Sequence, residues 1–163
     1  MKTLYVIRHA KSSWAEPNQP DIDRKLNDRG IENAPMMASR LHKRVANIDY
    51  KICSPAVRTT QTAHFFCAEF GWNLSELNFE KSIYEAPLSN LLKVISSIPN
   101  QYESAVLFGH NFGVSLLVNH LTDDYVQMPT CAIATIELDI DQWEMLSEGI
   151  GRLIDYDYPK KNL

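Results

Sequence analysis

Four short runs of mostly apolar residues punctuate the chain, at positions 4–7, 50–53, 104–108 and 132–138. They are apolar on successive rather than alternate positions. That pattern suits strands covered on both faces, as in parallel sheets. The intervening segments carry helical spacing instead. Ile31, Ala34, Ala38, Leu41 and Val45 recur at three and four residues, with Asn27 as a predicted N-cap. Pro35 falls inside that stripe and predicts a kink or a later helix start. Ser54-Pro55 predicts a second helix, with Ser54 as N-cap and Pro55 at the first helical position, stopped by Gly71. Leu88, Leu91, Leu92 and Ile95 mark a third helix that ends before Pro99, and residues 111–121 a fourth. Beyond Asp139 the pattern is less legible, although residues 152–158 alternate as a late edge strand would. Strand–helix alternation of this kind predicts an α/β fold, a three-layer α/β/α sandwich around a mostly parallel central sheet.

Length and charge narrow the class. The 163 residues fit one domain, 1–163, and 45% hydrophobic with 22% charged residues is ordinary globular composition. A domain near this size buries roughly 70% of the surface its unfolded chain exposes, so no staples are needed. Sixteen Lys and Arg against twenty Asp and Glu leave a net charge of −4, without a long basic run. Sequence-independent nucleic-acid binding therefore has no cationic face to rest on. No apolar stretch approaches the roughly 18 residues of a membrane span, and the run at 4–7 is too short for a signal peptide. Cys53, Cys67 and Cys131 are odd in number and form no C-x-x-C pair, so they read as buried free thiols of a reducing compartment. The expected location is cytoplasmic, and the expected state a monomer with neither membrane nor nucleic-acid partners.

Ligands of open α/β sheets bind beyond the carboxyl ends of the strands. Arg8-His9-Ala10-Lys11 follows the first run, Ser54-Pro55-Ala56-Val57-Arg58 the second, and Gly109-His110-Asn111 the third. Two arginines and two histidines thus converge on one predicted rim. A guanidinium matches phosphate oxygens bidentately, and helix N-termini add backbone donors. A neutral imidazole there can attack phosphorus to give a covalent phosphohistidine, while a second donates hydrogen bonds to the oxygens as charge develops. No H-x-H or H-E-x-x-H spacing occurs, and the arginines would repel a divalent cation. No metal and no cofactor are therefore expected.

Arg8-His9-Ala10, Ser54-Pro55-x-x-Arg58-Thr59-x-Gln61-Thr62-Ala63 and Gly109-His110-Asn111 together resemble the histidine phosphatase (phosphoglycerate mutase-like) superfamily. Arg8-His9-Ala10-Lys11-Ser12, Asp21-x-Asp23-Arg24-x-Leu26-Asn27-x-x-Gly30, Tyr84-Glu85-Ala86 and Met128-Pro129-Thr130 resemble its short, SixA-type phosphohistidine phosphatase branch. The resemblance spans nearly the whole chain and implies a phosphoglycerate mutase-like fold. It makes His9 the nucleophile, Arg8, Arg58 and His110 its phosphate pocket, and Glu85 the leaving-group acid. Asn111, Lys11 and Ser12 join Arg8, Arg58 and His110 as implied substrate-binding residues. Phe112 stands where that branch usually has Pro. His42, His64 and His120 read as helix-surface residues, and Trp14 as a loop anchor rather than a substrate platform. Lys11, Arg24, Lys25 and Arg29 are either solvated charges or a basic rim. The implied function is a metal-independent protein phosphohistidine phosphatase with a phosphoprotein substrate. Two alternatives stay open: a phosphatase or mutase of small phosphorylated metabolites, and a non-catalytic phosphoprotein-binding module. Only one helix fits between Tyr84 and Ser104, which leaves no inserted cap to enclose a small ligand.

Overall fold

The structure, a computed structural model, describes residues 1–162. Six strands, β1 (Lys2–Arg8), β2 (Tyr50–Cys53), β3 (Leu77–Phe79), β4 (Ser104–Gly109), β5 (Ile133–Leu138) and β6 (Gly151–Asp157), form one sheet in the order β3-β2-β4-β1-β5-β6. The pairs β3–β2, β2–β4 and β4–β1 are parallel, whereas β5 runs antiparallel to both β1 and β6. The sheet is mostly parallel, as the apolar runs predict.

Side chains alternate across a strand, and here each alternation finds a helical layer. Leu4, Val6, Ile52, Leu107 and Ile136 pack with Leu91, Ile95, Val114 and Leu117, from α3 (Leu88–Ser96) and α4 (Gly113–Thr122). Tyr5, Ile7, Cys53, Val106 and Phe108 pack with Ala34, Met37, Leu41, Ala63 and Phe66, from α1 (Asp28–Arg44) and α2 (Val57–Phe70). Both sheet faces are covered, so the molecule is an α/β/α sandwich. Cys53, Cys67 and Cys131 are buried free thiols, and burial pushes Cys67 up to about 11 and Cys131 to about 12.

Some local expectations change. The helix α1 runs through Pro35 without a break, because Pro35 lies on the exposed face where water can meet the carbonyl it leaves unpaired. Its buried stripe is Gly30, Ala34, Met37, Ala38 and Leu41, leaving Ile31 exposed. Asn27 caps it as predicted, its side chain accepting from Gly30 N. By contrast α2 begins only at Val57, and Ser54 is not its N-cap. Gly71 ends α2 in the left-handed conformation that glycine adopts freely. The three-residue edge strand β3 has too short a pattern to be read from sequence.

Register sets the functional rim. In the β1–β4 ladder Arg8 stands opposite Gly109, and in the β2–β4 ladder Cys53 stands opposite Phe108. His9 N donates to Gly109 O at 3.1 Å and Ser54 N to Phe108 O at 3.1 Å. The carboxyl ends of β1, β2 and β4 are thereby level. The reversed strand β5 brings the segment around Met128 and Thr130 to the same edge.

Candidate active site

His9, Arg8, Arg58, Glu85 and Asn111 line one cavity of about 280 Å³, together with Lys11, Ser12, Trp14, Arg24 and Thr130. His110 stands beside it, its ring centroid 5.3 Å from that of His9. Every residue singled out for the site from sequence thus lies in or against this cavity.

The His9 imidazole is held in one tautomer. Its Nδ1 lies 2.7 Å from Ala10 O, and a carbonyl oxygen can only accept, so Nδ1 carries the hydrogen. Nε2 keeps its lone pair. Ala10 N donates to Thr62 Oγ1 at 2.9 Å, and Thr62 Oγ1 donates to Arg58 O at 2.8 Å, which clips the loop after β1 to α2. Burial, followed by the nearby arginines Arg58, Arg8 and Arg24, pushes His9 down to about 3, outweighing the Ala10 hydrogen bond. Neutral imidazole is the form that can attack an electrophile.

His110 is oriented by Ser54. Ala56 N donates to Ser54 Oγ at 3.4 Å, leaving the hydroxyl proton to be given to His110 Nε2, 2.7 Å away. Thr59 Oγ1 lies 3.3 Å from the same nitrogen. In the resulting neutral tautomer Nδ1 is the N–H donor. The hydroxyl expected to cap α2 is used here instead. Burial, then the neighbouring His9 imidazole, which disfavours a second proton, and the Arg58 charge lower His110 to about 3.

Arg58 is 1% exposed and heavily bonded. Nη1 donates to Asp21 O at 2.8 Å, and Nη2 to Asp21 Oδ2 at 3.0 Å and Glu85 Oε1 at 2.7 Å. Asp21 also accepts from Arg24 Nε at 2.9 Å and from the Tyr84 hydroxyl. Although burial opposes it, these hydrogen bonds and the Arg58 charge hold the Asp21 carboxyl well below the usual carboxylate range. Glu85 has fewer donors and a half-exposed side chain, and it faces His110 Nδ1 at 3.6 Å. Its φ of 47° places a non-glycine residue in the left-handed region, a strained conformation that is enriched at functional sites.

Arg8 Nη1 donates to Met128 O at 2.9 Å. Among the described residues, the buried side-chain polar atoms without any partner are Arg8 Nε, Arg58 Nε and His110 Nδ1. All three belong to the residues around His9. Buried donors are otherwise almost always satisfied, so three orphans at one cavity fit an anion with several acceptor oxygens.

The remaining residues divide. Asn111 Oδ1 accepts from Ser115, leaving its NH2 group as donor, and Ser115 Oγ accepts from Met128 N. Ser12 accepts from Arg24 Nη1 at 2.5 Å, so its hydroxyl oxygen supports the loop. Arg24 is buried between Asp21 and Ser12 and is not part of a solvated basic rim. Trp14 is 76% exposed, with the Arg24 guanidinium 3.6 Å from its ring centroid, a contact within the loop. Asp21, Ser54, Thr62, Tyr84 and Thr130 were not anticipated as site residues. Asp21 and Ser54 stand inside sequence motifs, but their partners are 37 and 56 residues away.

Both imidazoles are buried neutral, which makes acid destabilising. Between the ordinary histidine value and about 3 the unfolded chain binds a proton at each and the folded chain does not, so stability falls as pH falls through that window. At pH 5 this amounts to about 2 kcal/mol for each imidazole relative to neutral pH. Denaturant midpoints at pH 7 and pH 5 are expected to differ markedly for the wild type and much less for a His9→Ala/His110→Ala double variant. Equal pH dependence in both proteins would contradict the buried neutral state.

The family model described as histidine phosphatase superfamily (branch 1) matches residues 4–88, just over half of the chain. The SixA protein of Agrobacterium tumefaciens, a candidate phosphohistidine phosphatase, is 25% identical, with 97% of this chain and 98% of that one covered at a TM-score of 0.82. The protein histidine phosphatase SixA complexed with tungstate is 21% identical, with 97% of each chain covered at a TM-score of 0.83. An uncharacterized Mycobacterium leprae protein is 25% identical over 94% of this chain and all of its own length. With its motifs matched in order on one sheet rim, the chain belongs to the histidine phosphatase superfamily.

Proposed function

We propose that residues 1–163 form one histidine phosphatase domain that hydrolyses phosphohistidine on proteins through a transient phospho-His9. The observation that carries this reading is the set of three unpartnered buried donors around an imidazole whose Nδ1 is tied to Ala10. His9 Nε2 attacks phosphorus, and a P–N bond to His9 forms as the bond to the substrate imidazole breaks. Arg8, Arg58 and His110 hold the phosphoryl oxygens as charge redistributes. Glu85 enters this step protonated, with Oε1 still accepting from Arg58 Nη2, and gives the departing imidazole its proton. The resulting carboxylate takes a proton from the water that attacks phosphorus, and inorganic phosphate leaves as His9 is restored. Asp21 is ill suited to that role, because its oxygens are held by arginines and Tyr84.

Supporting a protein substrate, the cavity is open, with Glu85 and Trp14 well exposed and only α3 between Tyr84 and β4. The similarity to SixA proteins points the same way, and the tungstate of one is a tetrahedral oxyanion. A purely phosphate-binding module would need the arginines but not a nucleophile in a fixed tautomer.

The test is a turnover panel in EDTA, since guanidiniums already supply the charge a metal would bring. Expected is the highest kcat/KM on a phosphohistidine protein, lower values on aryl and sugar phosphates, and inhibition by vanadate. Glu85→Gln is expected to cost about 100-fold on the aryl ester and under about 10-fold on phosphohistidine, because imidazole needs less help to leave than an alkoxide or phenoxide. Preference for sugar phosphates, or loss of activity on chelation restored by zinc, overturns the proposal.

A further inference from the structure

A second cavity, also of about 280 Å³, adjoins the first and shares Lys11 and Thr130 with it. Its walls are Pro129, Tyr158 and Pro159, and three cations, Lys11, Arg29 and Lys160, stand around it. They come from three separate parts of the chain: the loop after His9, the first turn of α1, and the segment after β6. All three are exposed, and none is paired with a carboxylate among the described residues. In the neighbouring catalytic cavity Arg24 and Arg58 are compensated by Asp21, as Arg40 and Arg44 are elsewhere by Asp155 and Asp157, whereas the three cations here stand together without an acidic partner. In a chain of net charge −4, this uncompensated group beside the nucleophile is a local reversal of sign.

We infer that this second cavity is a substrate subsite that takes an acidic polypeptide segment flanking the phosphorylated residue. The inference rests on the proposed phosphoprotein substrate and adds its sequence preference. A chain whose phosphoryl group sits at His9 meets the second cavity directly across Lys11. The Pro129, Tyr158 and Pro159 walls offer apolar contact, and the three cations select Asp or Glu side chains. Fixed positive charge there also steers acidic partners toward the pocket, an effect that salt screens.

Arg29→Glu/Lys160→Glu leaves the catalytic cavity intact, since neither residue lines it. The variant and wild type are assayed on a phosphohistidine peptide with acidic flanks, on the same peptide with Asn and Gln in their place, and on an aryl phosphate, across a salt series. Expected is a loss of about 10-fold in kcat/KM on the acidic peptide, carried by KM and shrinking with salt. Changes on the neutral peptide and the aryl ester should stay under twofold. Equal losses on all three substrates, or none on the acidic peptide, overturn the subsite. So does a loss on a small phosphorylated carboxylic acid, assayed beside the three, that is larger than the loss on the acidic peptide, which would make the cavity a metabolite site. Should wild type fail to turn over either peptide, the proposed function fails, and the subsite is then read separately. The unphosphorylated acidic peptide should still inhibit aryl phosphate hydrolysis by wild type and not by the variant, and the absence of that difference overturns the subsite too.

Discussion

His9→Ala is expected to reduce kcat/KM by about 10⁴-fold or more, on phosphohistidine and aryl substrates alike. Removing a covalent nucleophile deletes the reaction path rather than one contact, and what remains is weak catalysis from the surrounding donors. Wild-type protein quenched during turnover should carry an acid-labile, base-stable phosphoryl label that the variant lacks. The fold should tolerate the change at neutral pH. His9 is buried, so the substitution removes its hydrogen bond to Ala10 O, a loss of about 1 kcal/mol. It also relieves the desolvation that keeps the imidazole neutral. A folded variant retaining a hundredth of wild-type turnover would show that another group attacks phosphorus.

The meeting of His9, Arg58 and His110 at one rim was legible in the sequence because strand ends can be counted, whereas the role of His9 as nucleophile was implied only by the resemblance to the histidine phosphatase superfamily. Apolar runs closing at Ile7, Cys53 and Phe108 give three carboxyl ends, and the residues immediately after each are what a parallel sheet brings together. His9, Arg58 and His110 follow from that placement alone. What was not legible is how their side chains are held. Ser54 before Pro55 carries the same local signal whether its hydroxyl caps α2 or orients His110, and only the level register of β2 and β4 decides between them. Asp21 sits in a loop without periodicity, and nothing local marks it as the partner of Arg58. Arg24, Lys25 and Arg29 look alike as charges along the chain. Folding buries Arg24 under Asp21 and leaves Arg29 beside Lys160, at the far end of the chain. The contact of Trp14 was hidden for a related reason: Arg24, ten residues on, covers its ring while the residue stays exposed.

Arg58→Ala is expected to lower kcat/KM by about 30-fold to 10³-fold, or 2–4 kcal/mol, mainly through kcat. Arg58→Lys should recover less than a tenth of the loss. The guanidinium serves three directions at once: Nη1 holds the Asp21 carbonyl, Nη2 bridges the Asp21 and Glu85 carboxylates, and Nε is a buried donor without a partner. An ammonium on a flexible stem is a point charge, and from one position it cannot span two carboxylates and still offer a donor to a phosphoryl oxygen. Its loss has a second consequence at Asp21 and Glu85. Without the bridging cation, the two carboxylates that share Arg58 Nη2 are left near each other, one of them normally held below its usual range in part by the Arg58 charge. Like charges at such a distance disfavour double ionisation, so the proton affinity of the pair rises. The pH–rate profile of Arg58→Ala should therefore move to higher pH on its acid limb, and further than that of Arg8→Ala, since Arg58 bonds both carboxylates and Arg8 bonds neither. Full recovery of rate by Lys would show that only long-range charge acts at this position. An unmoved profile in Arg58→Ala would separate Arg58 from the acid and leave it as a phosphate ligand alone.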